Sequence, residues 1–304
     1  MRRRGTRPRA PAGSAKKRRQ NLLMPVTRRS FLRAASLTPL LSLAGCGPGA
    51  WLARRKPTDI RIEGVSYRYE EFLYRAPYQF GGRAVDRATI LNVTCTVRTR
   101  RGQVSQGFGS MPLGNVWSFP SKVMTYDTTL GAMKTLAGRL SKITEGSGAY
   151  GHPMELNAML EPAYLKAAEE VSLELKLASP IPKLCALVTA SPFDAAIHDA
   201  FGKVHGLNCY STYGAEFANS DLSAFLGREF AGEYAAQYIR KQPAARTPMF
   251  HSVGAGDPIT ETDIRQRLND GLPETLSEWI VFNGLIRIKI KLNGEDLSGD
   301  LERV

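Results

Sequence analysis

The chain has 304 residues, of which 43% are hydrophobic, 23% charged and 9% aromatic, an ordinary globular composition that excludes a disordered or fibrous protein. Its formal charge is +13, yet residues 1–45 hold ten Arg and two Lys with no Asp or Glu, leaving 29 basic against 28 acidic residues in 46–304. The body is therefore close to neutral, and the basic excess sits in a leader rather than on a phosphate-binding face, which argues against a nucleic-acid partner.

Within that leader Thr27-Arg28-Arg29-Ser30-Phe31-Leu32-Arg33 resembles a twin-arginine export motif. The apolar run that follows, Ala34 to Ala44, is too short for a bilayer that needs about 20 residues. It suits a signal h-region instead. Leu43-Ala44-Gly45-Cys46 then resembles a lipoprotein cleavage box. The expectation is a signal peptide over 1–45 and a linker over 46–58. A lipid on Cys46 would hold the exported protein at the membrane, on the periplasmic or cell-surface side. The second basic cluster, Lys16 to Arg19, makes Met24 an alternative start. Cys95, Cys185 and Cys209 have no short spacing, so neither a disulfide framework nor a CxxC metal site is expected.

Alternating patterns at 59–72, 88–98 and 104–108 predict a three-stranded antiparallel meander, with a turn at 100–103. Arg75 to Gly82 and Gly109 to Pro120, the latter with Trp117 and Phe119, are expected to be loops. The period then lengthens, predicting helices over 121–141, 154–177 and 192–205. The last of these has Ser191 as its cap and Pro192 in its first turn, and is stopped by Gly202 and Gly206. Residues 222–241 suggest further helix and 242–247 a linker. Beyond it come a short buried strand at 249–253 ending in a Gly254–Pro258 turn, a helix at 260–269, an apolar segment at 279–282 and a strand at 285–292. Strand, helix, strand implies a parallel crossover.

Most motifs of chemistry are missing: there is no HExxH, G-x-S-x-G or Walker loop, and Gly107-Phe108-Gly109 lacks the third glycine of a dinucleotide fingerprint. The four histidines are scattered, and Asp199 with Lys203, four apart on a helix, suggests a surface ion pair. Lys289-Ile290-Lys291 stands out. Two lysines two apart on a strand share a face. Mutual repulsion and burial would lower their pKa values toward those of a general base.

Ser191-Pro192-Phe193-Asp194-Ala195-Ala196-Ile197-His198-Asp199-Ala200-Phe201-Gly202-Lys203, followed by Gly206-Leu207-Asn208 and Tyr210, resembles the closing helix of the capping domain in the mandelate racemase/muconate lactonizing enzyme branch of the enolase superfamily. The resemblance implies an α+β capping domain (three-stranded antiparallel meander plus helical bundle) over 59–214, an extended connection over 215–247, and the first two βα units of a (β/α)8 TIM barrel over 248–304. It also implies that Lys291 removes the proton next to a substrate carboxylate and that Lys289 tunes it. Tyr78, Gln79, Phe80 and Trp117 fall where the cap closes over substrate.

The implied enzyme is an isomerase or lyase, a racemase, cycloisomerase or acid-sugar dehydratase, that stabilises an enediolate on Mg²⁺. Its partner is a small carboxylate, and a homo-oligomer is compatible with it. Only 57 residues follow residue 247, against the roughly 250 of a full barrel. The expectation is thus an incomplete, truncated barrel without the magnesium ligands, inactive by itself. The alternative is a non-catalytic exported lipoprotein that keeps the capping domain as a binding module.

Overall fold

The structure, a computed structural model, describes residues 56–80, 83–254, 256–292, 294 and 296–304. The export motif and Cys46 lie outside the described residues. Strands β1 (Ile60–Phe80), β2 (Arg83–Thr99) and β3 (Val104–Pro112) form the expected antiparallel meander. A fourth, two-residue strand, β4 (Tyr150–Gly151), joins the far edge of β1 and gives the order β3-β2-β1-β4. Gly102, at φ +86°, makes the expected turn between β2 and β3, its N–H donating to the Thr99 carbonyl at 3.0 Å. Leu91, Val93, Cys95 and Val97 alternate along β2 and are all buried, so one face of the sheet carries the core.

Against that face pack the helices α2 (Tyr126–Glu145) and α4 (Lys183–Val204), with α3 (Pro153–Glu174) packed on both helices, after a single turn α1 (Asn115–Ser118). Helix α4 corrects the sequence reading: it begins at Lys183 and runs straight through Pro192. A proline there cannot donate to the Val188 carbonyl. The Ser191 hydroxyl does so instead, at 2.9 Å. The local signal at Ser191-Pro192 thus marks a repaired backbone gap inside a helix whose buried face, from Cys185 to Val204, overrides it.

Glycines set how closely α4 meets the sheet. A Cβ on Gly107 would lie 2.1 Å from the Ala196 carbonyl oxygen and 2.2 Å from the Ala200 nitrogen, and one on Gly109 would lie 2.0 Å from the Pro192 oxygen. Strand and helix backbones are therefore in direct contact, and these glycines serve packing. The contact brings Asp199 to the strand, where it accepts the Phe108 N–H at 2.8 Å while pairing with Lys203 at 2.7 Å. The helix ends at Val204, the chain reverses at Gly206, φ +66°, and it turns back across Gly202, where a Cβ would meet the Leu207 oxygen at 2.8 Å.

The returning segment is fastened by buried carboxylates. Glu155 accepts the Asn219 and Ser220 N–H groups at 2.7 and 2.8 Å, and the Asn219 side-chain amide bridges it to Asp59. Asp59 is only 1% exposed and is paired with Arg100 at 3.2 Å. His152 caps α3: Nδ1 accepts the Met154 N–H and Nε2 donates to the Thr212 carbonyl at 3.0 Å.

The later segments depart further from expectation. In place of a helix over 222–241 there are one turn, α5 (Ser223–Leu226), and two 3₁₀ turns, because Gly227 and Gly232 take positive φ and Asp221 accepts the N–H groups of Ser223 and Gly232. At 260–269 only a 3₁₀ turn, Glu261–Asp263, forms. The Asp263 carboxylate captures the Ile259 and Thr260 N–H groups, a local alternative to helix. The apolar segment 279–282 lies in helix α6 (Leu276–Asn283), started by the reciprocal Thr275/Glu278 capping box and ended by Gly284 at φ +58°. Strands β5 (His251–Val253) and β6 (Ile288–Ile290) pair in parallel, as the crossover pattern predicts, and helix α7 (Leu297–Arg303) follows. Among the described residues no helix is long and apolar enough to cross a membrane.

His152 gives the fold a pH dependence. Burial, reinforced by the nearby charges of His198, Lys56 and His205, pushes its imidazole down to about 3, against about 6.5 in an unfolded chain. The neutral form is the folded form, so this stabilisation is complete above pH 6.5 and is lost as pH falls toward 3, by at most about 1.4 kcal/mol per pH unit. Urea unfolding between pH 7 and 4 should show this slope, and His152→Asn, which keeps a capping acceptor, should flatten it. An unchanged slope in that variant would place the acid loss elsewhere.

Candidate active site

The parallel pair aligns His251 with Ile288, Ser252 with Lys289 and Val253 with Ile290, and the Lys291 N–H continues the ladder by donating to the Val253 carbonyl at 2.9 Å. Ligands of parallel sheets bind outside the carboxyl ends of the strands, because the connections there are free to diverge around a crevice. Such a cavity of about 470 Å³ opens at that end here, lined by Ile259 and Asp263 from the connection after β5 and by Lys291, Asp296, Asp300 and Arg303 from β6 onward. Both connections thus contribute to one space.

Its walls are charged and fixed. The Arg303 guanidinium donates to the carbonyls of Gly254 and Asp257, tying α7 to the turn after β5. Asp296 caps α7 through the Ser298 and Gly299 N–H groups, and Asp300 accepts the Gly294 N–H at 2.8 Å. Asp263, bonded to Thr260 and Ile259, is held below the usual carboxylate range by those backbone bonds. Each of these three carboxylates is committed to backbone. Among the described residues no three His, Cys, Asp or Glu side chains converge as a donor set for a metal ion.

The other sequence candidates are spread out. Lys289 is exposed, its ammonium 5.8 Å from the centroid of the Phe250 ring, and it is not among the residues lining the Lys291 cavity. Strand β6 ends at Ile290, and Lys291 follows it with its N–H on the Val253 carbonyl. Tyr78, Gln79 and Phe80 are not in a loop: they are the last residues of β1, paired with Val85, Ala84 and Arg83. Trp117 sits in α1, where its indole folds over Gly114, and lines a separate cavity of about 200 Å³ with Tyr74, Arg87 and Tyr126. The two cavities share no lining residue. Sequence reading missed Asp263, Asp296, Asp300 and Arg303. Asp296, placed before a short Leu-Ser-Gly segment, carried a legible N-cap signal.

No family model matches the chain, and no curated protein matches it. Among solved structures it is similar to a mandelate racemase/muconate lactonizing protein from Herpetosiphon aurantiacus, at 15% identity over 82% of this chain and 49% of that one, with a TM-score of 0.40. It is similar to the L-talarate/galactarate dehydratase from Salmonella typhimurium LT2 liganded with Mg and L-lyxarohydroxamate, at 15% identity over 88% and 51%, TM-score 0.42. A third is the substrate-liganded L-Ala-D/L-Glu epimerase from Bacillus subtilis, at 14% identity over 80% and 48%, TM-score 0.41. The chain spans about half the length of these solved proteins.

Proposed function

We propose that the chain carries the capping domain, 59–214, the connection, 215–247, and the first barrel units, 248–304, of an enolase-superfamily enzyme that abstracts a proton α to the carboxylate of a small acid. The observation that supports it is the position of Lys291, at the carboxyl end of a parallel strand and in the wall of a cavity to which both connections contribute. In this reading the Lys291 amine accepts the α-proton, and Lys289 acts on it through charge. Tyr78, Gln79, Phe80 and Trp117 belong to the part of the cap that meets substrate. The enediolate so formed needs strong charge stabilisation, and among the described residues no three acidic, His or Cys side chains converge to hold a cation that would supply it. Residues 46–304 are therefore expected to show no turnover by themselves.

Exchange of the α-proton in D₂O with Mg²⁺, followed by NMR over a panel of 2-hydroxy acids, acid sugars and dipeptides, tests the reading. A protein in which this chain is joined to a complete barrel should show exchange that falls by about 10²–10⁴-fold on Lys291→Ala, the usual contribution of a general base. Full exchange in Lys291→Ala would remove Lys291 from the chemistry. Absence of exchange in that protein with every acid would favour the non-catalytic binding module.

We further propose that the protein is exported by the twin-arginine route and anchored at Cys46, since basic, apolar and small-plus-Cys segments follow one another within residues 27–46. Two acyl chains on one thioether-linked glycerol hold a membrane far better than one. Cys46→Ser should move the protein to the soluble fraction, and an unprocessed leader on a cytoplasmic protein would contradict the route.

A further inference from the structure

Beyond Glu70 and Ile90, where the pairing with β3 ends, β1 and β2 continue as a two-stranded ribbon that is largely exposed from Glu71 to Pro77 and from Ala84 to Arg87. A two-stranded ribbon is marginally stable alone, so the contacts that pin it decide where it stays. Its base is tied to α2: the Tyr69 hydroxyl donates to the Lys134 carbonyl at 2.9 Å, Lys134 pairs with Glu71 at 2.7 Å and Arg87 with Asp127 at 2.8 Å. Farther out the ladder breaks. Leu73 faces Arg87 and Tyr78 faces Val85, so the four residues Tyr74 to Pro77 lie opposite Asp86 alone. Such a bulge re-aims side chains, and Pro77 fits it because it has no N–H to give a ladder.

From this bulge Arg75 reaches the turn at 268–274. Its Nε and Nη2 donate to the two Asp270 carboxylate oxygens at 2.5 and 2.7 Å, and its Nη1 and Nη2 to the Pro273 and Leu272 carbonyls at 2.8 and 3.2 Å. The turn is built to receive it. Asn269 and Gly271 take positive φ, Asp270 accepts the Leu272 N–H at 3.1 Å, and Glu274 accepts the N–H groups of Leu268 and Asn269. The planar fork of an arginine matches a carboxylate flanked by carbonyls in a way a lysine cannot.

We propose that Arg75 is a clamp that fastens the bulge of the β1–β2 ribbon to the 268–274 turn, so that ribbon and turn are protected together while it is closed and released together when it opens. The clamp stands independently of any role for Lys291. Its partners are partly exposed, with 30% and 37% of the Arg75 and Asp270 side chains accessible, so salt weakens the ionic part and leaves the carbonyl bonds.

Hydrogen–deuterium exchange on the full chain, read by mass spectrometry, tests this. Arg75→Ala should accelerate exchange by about tenfold in both 74–86 and 268–274, as expected when a local opening loses its main restraint, and leave 91–97 and 183–204 unchanged. Arg75→Lys and Asp270→Asn should give intermediate increases in the same two segments, and 1 M NaCl should raise both in the native protein. Faster exchange in the ribbon without the turn, or unchanged exchange in both segments with Arg75→Lys and in salt, would overturn the clamp.

Discussion

The contact on which this structure depends is the one between the backbones of β3 and α4 at Gly107 and Gly109. With no side chain between them, a strand and a helix lie closer than any other residue pair allows, and the helix direction is fixed by the strand. Asp199 can then reach the Phe108 N–H. That bond satisfies a donor of an edge strand that would otherwise face outward and offer a template for another chain. The same placement lets α4 run on past Gly202 to a turn at Gly206, which returns the chain toward α3. There Thr212 meets His152, and Asn219 joins Glu155 to Asp59. Removing one member of such a buried charged network leaves the others without partners, a loss of about 3–5 kcal/mol. The close approach thus holds α4 on the sheet, and the buried carboxylates hold the segment that follows it against α3 and the start of β1.

Much of this architecture was legible in the sequence because it rests on periodicity. The alternation from Leu91 to Val97 and the long apolar faces of α2 and α3 announce themselves over many residues. The parallel pair was legible for the same reason, through the run from Ile286 to Leu292. What failed were readings that rested on a few residues. Ser191-Pro192 carries every local mark of a helix start, and only the Ser191 hydroxyl on the Val188 carbonyl explains how the helix passes through it. Residues 75–82 have the composition of a loop, yet Tyr78 to Phe80 return to the ladder after the bulge. At 222–241 and 260–269 a helical spacing of apolar residues was outweighed by single aspartates, Asp221 and Asp263, that take nearby N–H groups.

The site was legible only in part. Lys291 stood out by its spacing from Lys289, and it does line a cavity at the strand ends. The remaining walls come from short, locally bonded turns whose carboxylates serve the backbone, and no period in the sequence marks them. Lys289 stands over Phe250. Alternation on a strand predicts a shared face, yet only Lys291 lines the cavity at the strand ends.

The direct test of the account is the stability of single glycine-to-alanine variants at the helix–strand contact and at a matched control, measured by chemical unfolding. Gly107→Ala and Gly109→Ala should each lose at least the 1–3 kcal/mol, roughly, that overpacking a core costs, because the new Cβ meets backbone that cannot rotate away. Gly131, inside α2 with open space where a Cβ would sit, should instead gain about 0.5–1 kcal/mol as alanine. If Gly107→Ala and Gly109→Ala were as stable as the native protein, helix α4 would not lie on β3 as described, and the arrangement built on that contact would be wrong.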